Sequence, residues 1–212
     1  MLLVVDAEDG ARHDAALRAM FAARKRVFID LLKWDLPVLA GRYELDQFDN
    51  VCARYLILTD SEGRHMGSAR LLETTRPHIL DTLFPDLCAE EIPRDASVFE
   101  ITRFCLDRDL TAAERRVARN QLVSALAEYA LHAGITAYTG VAEMSWLQQI
   151  LAFGWQCMPL GLPRQHGTRL LGALRISIDD DTIARLHEAG TYVPIDIAMG
   201  VGSEPSRKWA VQ

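Results

Sequence analysis

The chain has 212 residues, half of them apolar and a quarter charged, which is an ordinary composition for one globular domain. Its 23 Lys and Arg against 29 Asp and Glu give a net charge of −6, which argues against a general nucleic-acid binder, a class that is usually basic. The four cysteines show no C-x-x-C spacing, the N-terminus lacks a basic secretory start, and no apolar run approaches the roughly 20 residues of a membrane span, so we expect a cytoplasmic protein without zinc or disulfides.

The first half of the chain predicts a strand, a long helix and a pair of strands. Leu2–Asp6 is the strand, and Ala15–Leu32 carries apolar residues at helical spacing. The helical pattern stops at residues 33–51, a loop of a length that is usually functional or disordered. Arg54–Thr59 and Met66–Glu73 then predict two strands joined by a hairpin turn.

The second half begins with an irregular segment, residues 74–95, which contains three prolines. Val98–Leu106 is rich in β-branched and aromatic residues and predicts a strand. Thr111 and Glu114 form a capping box that opens a long helix, and Gly134 closes it. The remaining elements are a strand, a helix, a strand and a short helix, at Ile135–Val141, Met144–Phe153, Arg169–Ile178 and Asp181–Glu188.

This order of elements predicts an α/β fold, a single-domain sandwich with a mixed sheet. A doubly wound dinucleotide fold is not indicated, because no G-x-G-x-x-G follows a strand. We expect one catalytic domain over residues 1–199 and a polar, flexible C-terminal tail over residues 200–212.

Arg24 stands on the apolar stripe of the first helix. A buried arginine needs an anionic partner, whereas an arginine whose head reaches water needs none, and the sequence leaves both readings open. Candidate partners follow in the loop, where Glu44, Asp46 and Asp49 alternate with apolar residues. A metal site is the weaker interpretation, since there is no EF-hand glycine pattern and no nearby histidine, so we predict none.

Glu100 and Arg103 lie three residues apart in a predicted strand, which places them on opposite faces if the strand is regular. A β-bulge would bring them toward one face, and bulges occur beside active sites. Arg70, on a neighbouring strand, faces either solvent or the same cleft, with equal weight.

Taken together, these motifs resemble the signature of the acyl-homoserine-lactone synthases, the autoinducer synthases of bacterial quorum sensing. The resemblance covers roughly residues 15–160, and the stretches that carry it, in order, are "RKRVFID", "LKWDLP", "YELDQFDN", "ARLLETT" and "FEITRF". It implies a fold similar to that of the N-acetyltransferases, with a splayed mixed sheet. It also implies an acyltransferase that joins an acyl thioester to S-adenosylmethionine.

The implied reaction has two parts. The amine of S-adenosylmethionine attacks the thioester carbonyl, and the carboxylate then closes the lactone and expels methylthioadenosine. The resemblance implies that Glu100 is the general base, with Arg24 and Arg103 as further catalytic residues. Binding of S-adenosylmethionine is expected at Arg24, Phe28, Trp34, Asp46 and Arg103. Ion pairs that brace the loop are expected at Glu44, Asp49 and Arg70.

The acyl donor is expected to be an acyl carrier protein. An N-acetyltransferase would carry a glycine loop for the coenzyme-A pyrophosphate near residues 115–121, and this chain has no glycine there. A basic stretch is either a carrier-docking patch or a solvated helix face, and consists of Arg108, Arg115, Arg116 and Arg119. The alternatives are the same reaction from acyl-CoA or a CoA-dependent N-acetyltransferase. A non-catalytic binding domain would not need Glu100 and Arg24 among apolar neighbours.

In this fold the thioester enters between the strands Val98–Leu106 and Ile135–Val141, so the acyl chain is expected to lie beyond these two strands. Candidate walls of its pocket are Thr102, Phe104, Tyr138, Val141, Met144, Trp146, Leu147 and Leu151. In this family a threonine just after the strand that corresponds to Ile135–Val141 is associated with 3-oxo chains. Ungapped alignment puts Ala142 or Glu143 there, with Thr139 slightly earlier, which favours an unsubstituted or 3-hydroxy chain.

No cofactor is expected, because S-adenosylmethionine and the thioester are substrates, and neither nucleic acid nor membrane is an expected partner.

Overall fold

The computed structural model describes residues 1–6 and 13–199, and the predicted tail at 200–212 lies outside these residues. The strands are β1 (Leu2–Val5), β2 (Val38–Leu39), β3 (Tyr43–Glu44), β4 (Arg54–Thr59), β5 (His65–Glu73), β6 (Val98–Leu106), β7 (Ala137–Glu143), β8 (Gln156–Pro159), β9 (Arg164–His166), β10 (Arg169–Ser177) and β11 (Ile197–Met199). The helices are α1 (Asp14–Arg24), α2 (Ile79–Leu83), α3 (Ala112–Ala133), α4 (Met144–Leu151) and α5 (Thr182–Glu188). A π-helix, Lys25–Leu31, continues α1, and a 3₁₀ turn, Pro85–Leu87, follows α2.

The main sheet has the order β11-β1-β4-β5-β6-β7-β10-β8, with β9 paired to β10. The pairs β1–β11 and β6–β7 are parallel and the others are antiparallel, which confirms the predicted mixed sheet. No helix of the described residues is both long enough and apolar enough to cross a membrane.

Alternation along the strands divides the core between the two faces of the sheet. On one face, Leu56 and Leu58 pack in a large cluster with α3. On the other face, Tyr55 and Ile57 pack with Met20 of α1 in a second cluster. Helix α3 begins at the predicted capping box and ends at Gly134, whose φ of 71° is the left-handed geometry that glycine adopts without strain. Its predicted apolar face is buried throughout, at Ala118, Leu122, Ala125, Leu126, Tyr129 and Ala130.

The sheet opens between β6 and β7. Their parallel pairing covers only Val98–Glu100 of β6, although β6 continues to Leu106 and β7 continues to Glu143. We call the opening beyond this pairing the cleft. It separates the sheet into a part that carries α1 and a part that carries β10.

The predicted helix Ala15–Leu32 is wrong in its second half. The α-helix ends at Arg24 and the chain continues as a π-helix, in which Lys25 donates to Asp30 at 3.0 Å. Residues five apart point about 140° away from each other in an α-helix, so this ion pair belongs to the wider helix. Apolar spacing of three and four residues does not distinguish the two helix types.

Several short elements escaped prediction. The loop at residues 33–51 contains the β2–β3 hairpin, and the segment at residues 74–95 contains α2 and the 3₁₀ turn. The short strands β8, β9 and β11 were also missed. Each has five residues or fewer, too few for a helical or strand pattern to be distinguished from chance.

Candidate active site

Three arginines and three carboxylates form a closed ring of ion pairs beside the cleft. Each arginine contacts two carboxylates and each carboxylate contacts two arginines, in the order Arg24, Glu44, Arg103, Asp46, Arg70 and Asp49. No side chain in the ring is more than 9% exposed. The fixed charges sum to zero, so the ring satisfies its own buried charges.

Arg24 is fully buried and has carboxylate partners, so the alternative in which its head reaches water is wrong. Its Nε donates to Glu44, and its Nη1 and Nη2 each donate to Asp49 at 2.8 Å. Burial opposes the charge of Arg24, but the hydrogen bonds and charges of Asp49 and Glu44 outweigh burial and raise its pKa. Burial likewise opposes the charge of Asp49, and Arg24 and Arg70 outweigh it, so the pKa of Asp49 lies well below its usual value.

Arg70 is buried in the same ring, so a surface role for this arginine is wrong. Its Nη1 and Nη2 donate to Asp46 at 2.6 and 3.1 Å, and its Nη1 lies 2.8 Å from Asp49. Its Nε donates to Thr102 of β6 at 2.9 Å. Arg70 therefore ties the loop carboxylates to the strand that carries Glu100.

A β-bulge in β6 brings Arg103 to the face that carries Glu100, so of the two alternatives left open by the sequence, the regular strand is wrong. Ser68 pairs with Cys105 while Arg70 pairs with Thr102, so Arg103 and Phe104 together oppose one residue of β5. Arg103 has φ of 50°, a conformation uncommon for a residue with a side chain and frequent at functional sites. Its guanidinium reaches Glu44 at 3.1 Å and Asp46 at 2.7 Å.

Glu100 is fully buried at the point where β6 and β7 separate. Its carboxylate accepts hydrogen bonds from the backbone N–H groups of Ile79 at 2.7 Å and Leu80 at 3.0 Å. Burial raises the pKa of Glu100 to about 8, against the opposing effects of these hydrogen bonds and of the Arg70 charge. A carboxyl group with this pKa can take up a proton near neutral pH.

The two N–H donors to Glu100 come from the first turn of α2, which the sequence analysis missed. The signal was present, because His78 and Asp81 form a capping box at the start of this helix. Asp81 accepts from the His78 backbone N–H at 2.8 Å. Histidine is not one of the usual N-cap residues, so the pattern was easy to overlook.

Thr139 of β7 lies in register with Glu100, and in-register neighbours of adjacent strands point to the same face. Thr139 is fully buried, and its hydroxyl has no hydrogen-bond partner among the described residues. Ala142 instead packs in the α3-side cluster, on the opposite face. Thr139, rather than Ala142, is therefore the residue of β7 that lies beside the Glu100 carboxyl group.

An aromatic stack crosses the cleft above these residues. The rings of Phe28 and Trp34 are 4.9 Å apart and 24° from parallel. Arg103 of β6 lies 5.7 Å from the Phe28 ring, and Arg169 of β10 lies 4.6 Å from the Trp34 ring. The Arg169 Nε also lies 3.2 Å from a carboxylate oxygen of Glu143, the last residue of β7.

The predicted walls of the acyl pocket do not form one surface. Thr102 and Val141 lie on the face of Glu100, and Leu151 is 44% exposed. The other predicted walls pack in the α3-side cluster, namely Phe104, Tyr138, Met144, Trp146 and Leu147. The predicted walls divide in this way because strand alternation sends Tyr138 and Val141 to opposite faces.

The apolar cluster on the Glu100 face was not predicted. Its buried members come from α2, the following 3₁₀ turn and β10, and are Leu80, Leu87, Leu171 and Ala173. Val141 and Phe84 pack against them. Two of the four buried residues belong to the segment that appeared irregular, which is why the sequence did not reveal them.

The predicted docking patch is narrower than expected. Arg108 and Arg116 are exposed, whereas Arg115 and Arg119 are half-buried. Arg115 donates to the Arg108 carbonyl at 3.2 Å, and Arg119 lies 5.2 Å from the Phe153 ring. The patch available to a partner therefore consists mainly of Arg108 and Arg116.

The three loop carboxylates also lie near enough to share a cation, since oxygens of Glu44, Asp46 and Asp49 are within 4.8 Å of one another. Three arginines already occupy these oxygens and cancel their charge. The cluster therefore supports an ion-pair ring rather than a metal centre.

Comparison with known proteins gives consistent matches. The sequence profile described as autoinducer synthase matches residues 9–186. An acyl-homoserine-lactone synthase of Ralstonia nicotianae (strain ATCC BAA-1114 / GMI1000) is 32% identical over 192 residues, which span 87% of this chain and 93% of that protein.

Two solved structures resemble the fold closely. The structure of a CoA-dependent acyl-homoserine lactone synthase, MesI, has a TM-score of 0.82 at 27% identity, covering 93% of this chain and 99% of that one. A second CoA-dependent synthase, BjaI with SAM and isopentyl-CoA, has a TM-score of 0.84 at 26% identity, covering 98% and 95%.

Proposed function

The chain belongs to the autoinducer synthase family, and from this premise we propose how its residues make an acyl-homoserine lactone. It is an acyltransferase that uses S-adenosylmethionine and an acyl thioester. The observation that carries the proposal is the position of Glu100, a buried carboxyl group with a pKa raised to about 8, at the point where the sheet opens.

In the first step Glu100 takes a proton from the ammonium group of S-adenosylmethionine, directly or through one water. The free amine then attacks the thioester carbonyl carbon, an amide bond forms, the carbon–sulfur bond breaks, and the thiolate leaves and takes up a proton. Beyond Glu100 the strands β6 and β7 pair only with their outer neighbours, so we assign the developing oxyanion to those backbone N–H groups of the two strands that point into the cleft.

In the second step the substrate carboxylate attacks its own γ-carbon, and the bond from this carbon to the sulfonium sulfur breaks. Methylthioadenosine leaves with the electron pair, and no proton transfer is required. Positioning is then the main contribution of the protein. Phe28 and Trp34 supply aromatic faces for the sulfonium, and Arg103, the ring member with the least buried side chain, is oriented to hold the carboxylate.

We assign Arg24 a positioning role rather than direct contact with substrate. All three of its donor nitrogens already bind Glu44 and Asp49, and its side chain is 1% exposed. Likewise, both carboxylate oxygens of Asp46 already accept hydrogen bonds, from Arg70 and Arg103. The ring therefore holds the loop and the bulge in place while Arg103 faces the substrate.

We propose that the acyl chain enters the apolar cluster on the Glu100 face and that the Thr139 hydroxyl binds an oxygen at carbon 3. A buried hydroxyl without a partner is costly, and a 3-oxo or 3-hydroxy group would satisfy it. The neighbouring walls are apolar and have no donor of their own, being formed by Leu80, Leu87, Val141, Leu171 and Ala173.

The proposed donor is an acyl carrier protein. The turn before α3 carries Asp107 and Asp109, and the first turn of the helix is closed by its own capping box, an unfavourable setting for a nucleotide pyrophosphate. The exposed Arg108 and Arg116 suit an acidic carrier. An acyl-CoA donor is the second candidate, because the two solved structures named above are described as CoA-dependent.

The test is to incubate the purified protein with S-adenosylmethionine and matched acyl chains on carrier protein or coenzyme A. We expect methylthioadenosine and acyl-homoserine lactone in equal amounts by mass spectrometry, with the higher kcat/KM for the carrier-bound chain. Amide formation without methylthioadenosine would contradict the two-step mechanism. A higher kcat/KM for acyl-CoA would reverse the choice of donor and leave the reaction intact.

A further inference from the structure

Arg169 and Glu143 lie at the cleft but have no part in the steps above. Arg169 begins β10, Glu143 ends β7, and the two side chains are joined at 3.2 Å. The Arg169 guanidinium also covers the Trp34 ring at 4.6 Å. This places a cation of the protein on the aromatic face that we assign to the substrate sulfonium.

The two cations that flank the Phe28–Trp34 stack are not equally fixed. Arg103 is held by Glu44 and Asp46, and its side chain is only 9% exposed. Among the described residues Arg169 has one carboxylate partner, and its side chain is 32% exposed. Of the two, Arg169 is the cation that can move away from its aromatic ring.

We propose that Arg169 is a gate residue, which occupies the Trp34 face in the empty enzyme and gives it up to the sulfonium of the substrate. Two cations cannot share one aromatic face in close contact, because like charges repel. Glu143 retains the displaced guanidinium, since it lies within reach on the neighbouring strand. The proposal rests on the proposed binding of S-adenosylmethionine against Trp34.

Lactone formation removes the positive charge from the sulfur, because the carbon–sulfur bond leaves as an electron pair on methylthioadenosine. The neutral thioether then holds the Trp34 face less strongly than Arg169 does. The gate residue returns to the ring and displaces the product. Arg169 is thus a positioning residue whose movement follows the charge on the substrate sulfur.

The experiment compares two ligands that differ in sulfur charge, S-adenosylmethionine and S-adenosylhomocysteine. Their dissociation constants are measured by calorimetry with the wild type, Arg169→Gln, Arg169→Lys and a control, Arg164→Gln, which removes an exposed arginine of β9. Removal of the competing cation should increase the preference for the sulfonium over the thioether about tenfold in Arg169→Gln, the scale of one cation–π contact. Arg169→Lys and Arg164→Gln should stay within about twofold of the wild-type preference.

An unchanged preference in Arg169→Gln would overturn the proposal, and so would an equal weakening of both ligands, which is what a merely structural brace predicts. Steady-state kinetics add a second readout, since Arg169→Gln should lower the KM for S-adenosylmethionine and slow product release. A wild-type protein that binds neither ligand would instead refute the proposed function, so the two failures are distinguishable.

Discussion

At the scale of single residues, Glu100 is the proposed base of the first chemical step. Glu100→Gln keeps the shape of the side chain and removes the base, so we expect turnover to fall about 10²–10⁴-fold with little change in KM. The measurement is kcat at saturating substrates, and Glu128→Gln on α3 serves as the control. Near-full turnover in the Gln variant would show that another group takes the proton.

The raised pKa of Glu100 also predicts a pH dependence of stability. The folded state binds this proton more tightly than the unfolded state, so stability falls as pH rises from the ordinary carboxyl value through about 8. Glu100→Gln lacks this loss and should gain thermal stability relative to wild type between about pH 5 and pH 8. Parallel Tm curves for the two proteins would contradict the assigned pKa.

Arg24 tests the energetic coupling within the ring. Arg24→Ala leaves Glu44 and Asp49 buried without one of their partners and should lower the free energy of unfolding by about 3–5 kcal/mol. Arg18→Ala breaks the exposed pair with Asp14 and should change stability little, because water screens exposed ion pairs. Urea unfolding of both variants measures the difference, and equal losses would mean that the ring is energetically unimportant.

Thr139 tests the proposed recognition of the acyl chain. Thr139→Val removes the hydroxyl and keeps the volume, so the preference for 3-oxo or 3-hydroxy donors over unsubstituted donors should fall about tenfold. Thr139→Ser retains the hydroxyl and should keep most of the preference. The readout is the product distribution from an equal mixture of donors, and an identical distribution in wild type and Thr139→Val would exclude this contact.

At the scale of the elements, α2 and the turn after it supply two of the four buried residues in the apolar cluster beside Glu100. Leu80→Ala should shift products toward longer chains, since each added methylene gains up to about 0.8 kcal/mol of burial. Trp146→Ala alters the opposite face of the sheet and should destabilise the protein without this shift. A shift in product length in Trp146→Ala but not in Leu80→Ala would show that the acyl pocket lies on the α3 side of the sheet.

The sequence predicted the elements that have a strong period and missed those that do not. Strand β4 agrees with its continuous apolar run, β6 agrees with its β-branched and aromatic residues, and the two ends of α3 agree with their caps. The sequence raised a bulge in β6 only as an alternative, because a bulge would bring Glu100 and Arg103 toward one face. Helix α2 has five residues among prolines, and no local pattern reveals that its N–H groups reach Glu100.

The sequence also could not predict that the six charged side chains pair in a closed ring. The need of Arg24 for a carboxylate could be predicted from its place on an apolar stripe. Which carboxylate it meets depends on how the loop folds over three elements, and this is a property of tertiary packing. The same limit explains why Arg70 could not be assigned to the cleft from its position in a strand.

At the scale of the whole molecule, the exposed arginines near α3 give a negatively charged chain a basic site. Reversal of both Arg108 and Arg116 to Glu should raise the KM for an acyl carrier protein at least about tenfold and spare short thioester analogues. The reversal Arg18→Glu with Arg42→Glu makes the same change in net charge elsewhere and controls for it. If both double variants raise the KM for the carrier protein equally, the weaker binding comes from the net charge of the chain and not from Arg108 and Arg116.

The alternation of charge around the ring has a consequence for how such a protein can change over generations. Loss of any one member leaves a buried charge without a partner, which lowers the free energy of unfolding by about 3–5 kcal/mol. The whole free energy of unfolding of a typical domain is only about 5–15 kcal/mol. A single substitution in the ring thus uses up much of the tolerance for mutation, and only two matched substitutions restore the balance. We therefore expect variation to avoid these six positions and to collect at the walls of the proposed acyl cluster, where a change of one methylene would cost little stability and would alter the product.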